Sequence, residues 1–174
     1  MGSERYSTYQ HRHNFAIWAA ARATQRGFTT TESLKEALEA TGIKTFIERP
    51  CKRGDFDDHH RRWCRSICRH LKSAQVEGVS YGRAAKLVNV YLKSMVVLPD
   101  LSSEVASYVH PPIDRILLQS VAKDPEVSTE RSRALRNTSW TKLSEAEYFD
   151  LISMLKDING DRPFWKIEEH WGVT

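Results

Sequence analysis

Apolar residues recur along this chain at spacings of three and four, and Gly, Pro and capping residues mark where each periodic run ends. From His13 to Arg26, Phe15, Ile17, Trp18, Ala19, Ala21 and Arg22 follow helical spacing, and Gly27 closes the run. Thr29, with Glu32 three residues later, reads as a capping box for a helix through Leu34, Ala37 and Leu38 that stops at Gly42. A third, strongly basic helix is predicted from Phe56 to about Ala74, and a fourth from Tyr81 to Leu98, opened by Ser80 and closed by Pro99. A short helical turn is predicted after Ser102-Ser103-Glu104. His110-Pro111-Pro112 then leads into a helix from Ile113 to Ala122 with proline in its first turn. Asp124 to Ser139 is polar and reads as a loop or a marginal helix. Ser144 with Glu147 forms a second capping box for a helix to Lys156. Asn159-Gly160 breaks that helix, and Pro163 to Trp171 is an amphipathic turn or two. No alternating β-branched run reads as a strand, and no Gly/Ser-rich linker or internal repeat divides the chain. The pattern predicts one all-α domain, residues 1–174, of seven to nine helices.

Composition narrows the class. At 174 residues, 40% hydrophobic and 28% charged, the chain is neither collagen-like nor of low complexity. Three cysteines are too few, and odd in number, for a disulfide framework, so a reducing, cytoplasmic setting is expected. No run approaches the roughly 18 apolar residues of a membrane span, so no membrane association is expected. Charge is uneven. Residues 1–93 hold 17 Lys and Arg against 9 Asp and Glu, whereas residues 94–174 hold 9 against 13. A lopsided basic half points to a polyanion, and double-stranded DNA is the expected partner of what is read as a monomer, nucleoid-associated if it binds DNA.

Two segments carry candidate chemistry. The Tyr81–Leu98 helix is apolar almost all round, apart from a narrow stripe of Arg83, Lys86, Asn89 and Lys93. A stripe of this kind is either the solvated face of the helix or a place where desolvation favours a neutral, nucleophilic lysine amine. In the second segment, His110-Pro111-Pro112-Ile113-Asp114-Arg115, prolines precede an aspartate at a helix N-terminus. That aspartate is either a dipole-favoured cap or a directed carboxylate.

Together the segments resemble the helix–hairpin–helix DNA glycosylase superfamily, especially its 8-oxoguanine glycosylases. Gly82-Arg83-Ala84-Ala85-Lys86 is similar to the hairpin end with its catalytic lysine, and Pro112-Ile113-Asp114 to the aspartate motif. The likeness covers residues 76–120. It implies excision of a damaged or modified base such as 8-oxoguanine from a flipped nucleotide; no cofactor or metal is expected. Lys86 would attack the sugar C1′ and form a Schiff base, with Lys93 as reserve nucleophile, and Asp114 would stabilise charge developing on the sugar. Strand cleavage by elimination, an AP-lyase step, could follow. His110, Phe164 and Trp165 are the candidate base pocket, chosen from aromatic residues that also include Trp18, Tyr91, Trp140 and Trp171. At least three of the five tryptophans are expected in the core.

DNA contacts are expected from Gly82 and Arg83 and from Arg61, Arg62, Arg65 and Arg69 on the basic helix. On the same helix His60, Cys64 and Cys68 step by four residues. One helix rarely wraps a metal ion, so the two cysteines are read as core. Two alternatives remain open. Arg65-Ser66-Ile67-Cys68-Arg69-His70 fits the Arg-then-His spacing of HEPN-type ribonucleases, as do Arg5…His11 and Arg53…His60. Ala84, at the place of the second hairpin glycine, favours a non-catalytic DNA-binding protein on the same scaffold.

Overall fold

The computed structural model of the chain describes residues 6–171, and among these there is helix and turn but no strand. Nine α-helices run in order: α1 Thr8–Thr24, α2 Thr31–Glu39, α3 Lys44–Glu48, α4 Phe56–Ser73, α5 Tyr81–Leu92, α6 Glu104–Tyr108, α7 Arg115–Val121, α8 Thr129–Asn137 and α9 Glu145–Asn159. A π-helical segment, Lys93–Val97, continues α5, and 310 turns at Trp140–Lys142 and Phe164–His170 flank α9. The all-α expectation holds among the described residues.

Most boundaries fall where the capping chemistry places them. Ser144 and Glu147 form the expected reciprocal box at the start of α9. The box expected at Thr29 does not form. Thr30 has the extended backbone of a cap and accepts from Ser33 N, while Glu32 pairs with Lys35. α1 begins at Thr8 rather than His13, because Ser7 caps it by accepting from Gln10 N. The polar stretch after Asp124 does contain a helix, α8, capped by Ser128 and with Leu135 as its buried residue. α3, with its buried Phe46, carries no signal that the periodicity picked out.

α5 lies at the centre. It packs against α1 on one flank and α4 on another, with α9 and the Trp140 turn closing over it. Its apolar residues Ala84, Ala85, Leu87, Val88, Tyr91 and Leu92 are buried in a core shared with Ile17 and Ala20 of α1, Trp63 and Ile67 of α4, and Tyr148 and Ile152 of α9. A helix polar only along a narrow stripe is what such a central position requires. Cys64 is buried and Cys68 half-buried, the latter donating to Ser80 O, as expected for core residues. The tryptophans depart from expectation. Only Trp63 is fully buried, Trp140 and Trp165 are half-buried, and Trp18 and Trp171 are exposed. Among the described residues no helix is long and apolar enough to cross a membrane.

Candidate active site

At its C-terminal end α5 departs from regular α geometry. After Leu92 the backbone widens to π geometry, with Leu98 N donating to Lys93 O, and Ser94 Oγ bonds back to Val90 O. π segments of this kind are frequent at functional sites. Here the segment lets Lys93 and Ser94, as well as Lys86 and Val90, line one cavity of about 320 Å³. Ala23 of α1, Leu98, and Pro112, Asp114 and Leu117 around the start of α7 supply further walls, and Glu168 and Trp171 close the C-terminal side.

Asp114 enters this cavity because of how α7 begins. The helix starts at Arg115, not Ile113. Asp114 is extended, and its Oδ1 accepts from Leu117 N at 2.9 Å as the N-cap. The prolines therefore precede the helix rather than fill its first turn, and the extended Pro111–Asp114 segment lies alongside α5. The carboxylate's second oxygen, Oδ2, lies 3.6 Å from Lys86 Nζ. Both side chains are well shielded, Lys86 at 11% and Asp114 at 21% exposure. Burial pulls the Lys86 amine below the ordinary lysine range, and the Asp114 carboxylate draws it part of the way back. The Trp140 ring lies 4.5 Å from the same nitrogen.

A second pair sits in the same cavity and had no counterpart in the sequence reading. Lys93 Nζ is hydrogen-bonded to Glu168 Oε2 and lies 5.3 Å from the centre of the Trp171 ring. Burial lifts the Glu168 carboxyl above its usual range, and the Lys93 ammonium opposes that rise. Lys93 stood out as the reserve nucleophile, but nothing in the spacing of the amphipathic C-terminal turn marks Glu168 apart from its neighbour Glu169.

The structure brings Lys86, Asp114 and Lys93 together and separates the other expected pocket residues from them. His110 is fully buried elsewhere, in a polar network between α4, α5 and α9. Tyr81 OH donates to His60 Nδ1 (3.1 Å), and His60 Nε2 donates to Asn89 Oδ1 (2.9 Å). Asn89 Nδ2 donates to Pro111 O (2.9 Å) and to Tyr148 OH (3.0 Å). Tyr148 OH donates to His110 Nδ1 (3.0 Å), and His110 Nε2 faces Asp57 Oδ1 at 3.1 Å. These partners fix both tautomers, since Asn89 Oδ1 and the Asp57 carboxylate accept only. Desolvation holds both histidines below the usual imidazole range, His60 well below it. Asp57 is lowered to about 2, chiefly by its bond from His110. Phe164 packs edge-on against His110 and Trp165 is half-buried beside Lys166, so neither lines the cavity. The aromatic residues beside the amines are Trp140 and Trp171. Asn89, counted with the lysine stripe, is turned into this network and fully buried.

The residues expected to contact DNA lie in different surroundings. Gly82 is covered by the molecule itself. Its N–H donates to Leu143 O, and a Cβ there would stand 1.9 Å from Trp140 O. Arg83 lies over the Phe28 ring, where burial lowers its guanidinium. Arg65 makes a bidentate pair with Glu145 of α9 (2.6 and 2.7 Å). Arg61 also reaches Glu145 and stacks on Phe149. Arg62 and Arg69 are exposed.

Of the ribonuclease spacings, Arg53…His60 ends on a buried histidine, and His70 is not among the residues lining the cavity. Arg5 lies outside the described residues. Among the described residues no group of three or more His, Cys, Asp or Glu is placed to hold a metal ion, and both His60 nitrogens are engaged by Tyr81 and Asn89. Comparison with protein-family models, curated proteins and solved structures returned no significant match.

Proposed function

We propose that this chain is a DNA glycosylase that uses Lys86 as its nucleophile and Asp114 as the partner carboxylate, on a helix–hairpin–helix type of scaffold. The observation that carries the reading is the Lys86–Asp114 pair, 3.6 Å apart and shielded within one cavity beside a tryptophan. Burial favours the neutral amine, which is the attacking form. In the reaction the amine nitrogen bonds to C1′ as the bond to the base breaks; the base leaves with the bonding electron pair on its nitrogen and takes up the proton that the amine gives up. Asp114, with one oxygen held by the α7 backbone, presents the other to positive charge on the sugar. Opening of the sugar then gives an imine that borohydride reduces to a stable adduct. Lys86 is favoured over Lys93 because Lys93 is already hydrogen-bonded to Glu168, whereas Lys86 meets Asp114 at a looser distance.

A non-catalytic DNA-binding protein is the second reading. It is favoured by the covered Gly82, which withdraws the hairpin backbone from a phosphate.

The test is trapping on a duplex carrying a single 8-oxoguanine, followed by duplexes with other lesions, in the presence of borohydride. The wild-type chain is expected to form an adduct, Lys86→Gln to lose it by at least about a hundredfold, and Lys93→Gln to keep most of it. The adduct rate should rise with pH through a midpoint below the roughly 10.4 of free lysine, because desolvation shifts the neutral amine to lower pH. Binding without an adduct on any lesion supports the second reading, and full trapping in Lys86→Gln overturns the residue assignment.

A further inference from the structure

The turn that seals Gly82 builds something on its outer side. Residues 138–143 cross over the start of α5, held by Ser80 Oγ donating to Thr141 O and by Gly82 N donating to Leu143 O. Between this turn, α7 and α8 lies a second cavity of about 360 Å³. Its polar lining residues include Arg115 and Arg136, Gln119 and Asn137, and Ser139 and Thr141. No lining residue is acidic. Arg136 is anchored by donating to Ala122 O at 3.1 Å, and Arg115 is exposed. Two cations, several donors and no carboxylate make a site for an anion with several acceptor oxygens.

Its position says which anion. Arg115 follows Asp114 directly in the chain, and Trp140 lines this cavity while its ring stands 4.5 Å from Lys86 Nζ. The two cavities have no lining residue in common, but Asp114–Arg115 and the Lys86–Trp140 contact join a residue of one to a residue of the other. We infer that the Arg115/Arg136 cavity holds a backbone phosphodiester of the DNA strand whose nucleotide enters the main cavity. This places the phosphate contact on the outer face of the very turn that closes the hairpin, and it rests on the proposed function for the identity of the strand. Phosphate contacts fix register without reading sequence, which suits a protein that must present one nucleotide to a fixed amine.

The test separates phosphate binding from chemistry by using an undamaged duplex and reading the salt dependence of affinity. Each phosphate contact contributes about 0.9 to the slope of log K against log salt. Arg115→Ala combined with Arg136→Ala is expected to lower the slope by about 0.9, the loss of one phosphate contact, and Arg115→Ala alone by a part of that. Replacing both by lysine should retain it. The single Arg115 variant guards against misfolding from loss of the Arg136 anchor. An unchanged slope in both alanine variants overturns the inference. So does saturable competition by inorganic phosphate at constant ionic strength with no change in slope, which would make this a site for free anions. Lys86→Gln trapping tests the chemistry separately: a lowered slope with trapping intact in Lys86→Gln sinks the residue assignment and leaves the phosphate site standing.

Discussion

Asp114 does two jobs with two oxygens. One accepts from Leu117 N and starts α7, and the other faces Lys86. Substitution separates the two. Asn is as good an N-cap as Asp, so Asp114→Asn should keep the helix start and melt close to wild type while losing most of the borohydride adduct. Asp114→Ala should lose the adduct and also about 1 kcal/mol of stability. Urea titration and trapping on the same preparations check this. Full trapping in Asp114→Asn would reduce Asp114 to a cap. Lys86 and Lys93 show why neighbours matter more than residue type, since two lysines one heptad apart on one helix meet different carboxylates from different parts of the chain.

At the scale of elements, α5 is arranged by what presses on it. Its first turn has room for a neighbouring backbone only because residue 82 has no side chain. Gly82→Ala would drive a Cβ to 1.9 Å from the Trp140 carbonyl, so the turn must move. Overpacking of this kind costs about 1–3 kcal/mol. Because Trp140 flanks Lys86, the variant should both lower the urea midpoint and slow trapping. An unchanged midpoint would mean that the turn does not pack as described. At its other end α5 relaxes to π geometry, which lets Lys93 and Ser94 line the same cavity as Lys86. The pairing of Arg61 and Arg65 with Glu145 ties α4 to the first turn of α9. That basic helix therefore serves as internal bracing as well as a charged surface.

Across the whole molecule, the His60–Asn89–Tyr148–His110–Asp57 network joins α4, α5, α9 and the segment that carries Asp114, and it makes stability depend on pH. Buried His60 and His110 hold folded-state values below the ordinary imidazole value. Below about pH 6.5 the unfolded chain therefore binds protons that the folded chain refuses. Their contribution is full above that point and falls as the pH drops through it, the His60 part approaching about 1.4 kcal/mol per pH unit. Asp57 works in the same direction lower down. Its carboxyl is held at about 2, so its contribution is present above the unfolded value near 3.8 and is lost as pH falls through about 2. That contribution is small, because the side chain is partly exposed. Urea midpoints between pH 8 and 5 test the prediction, and a flat profile would mean that the two imidazoles are not buried and neutral.

Local rules carried much of this architecture. Apolar spacing and the Ser144–Glu147 box are contacts within a few residues, so most of the helices were legible from order alone, whereas α3 and the start of α7 at Arg115 were not. Lys86 and Asp114 stood out for the same reason, as polar residues that interrupt otherwise apolar or proline-set runs. What order along the chain does not encode is which side chains from distant segments face each other. Glu168 and Trp171 joining Lys93, Trp140 sealing Gly82, Glu145 capturing Arg65, and His110 turning inward all depend on how helices cross. Residues 38 to 80 apart come together there through packing, and packing responds to shape and burial rather than to sequence spacing.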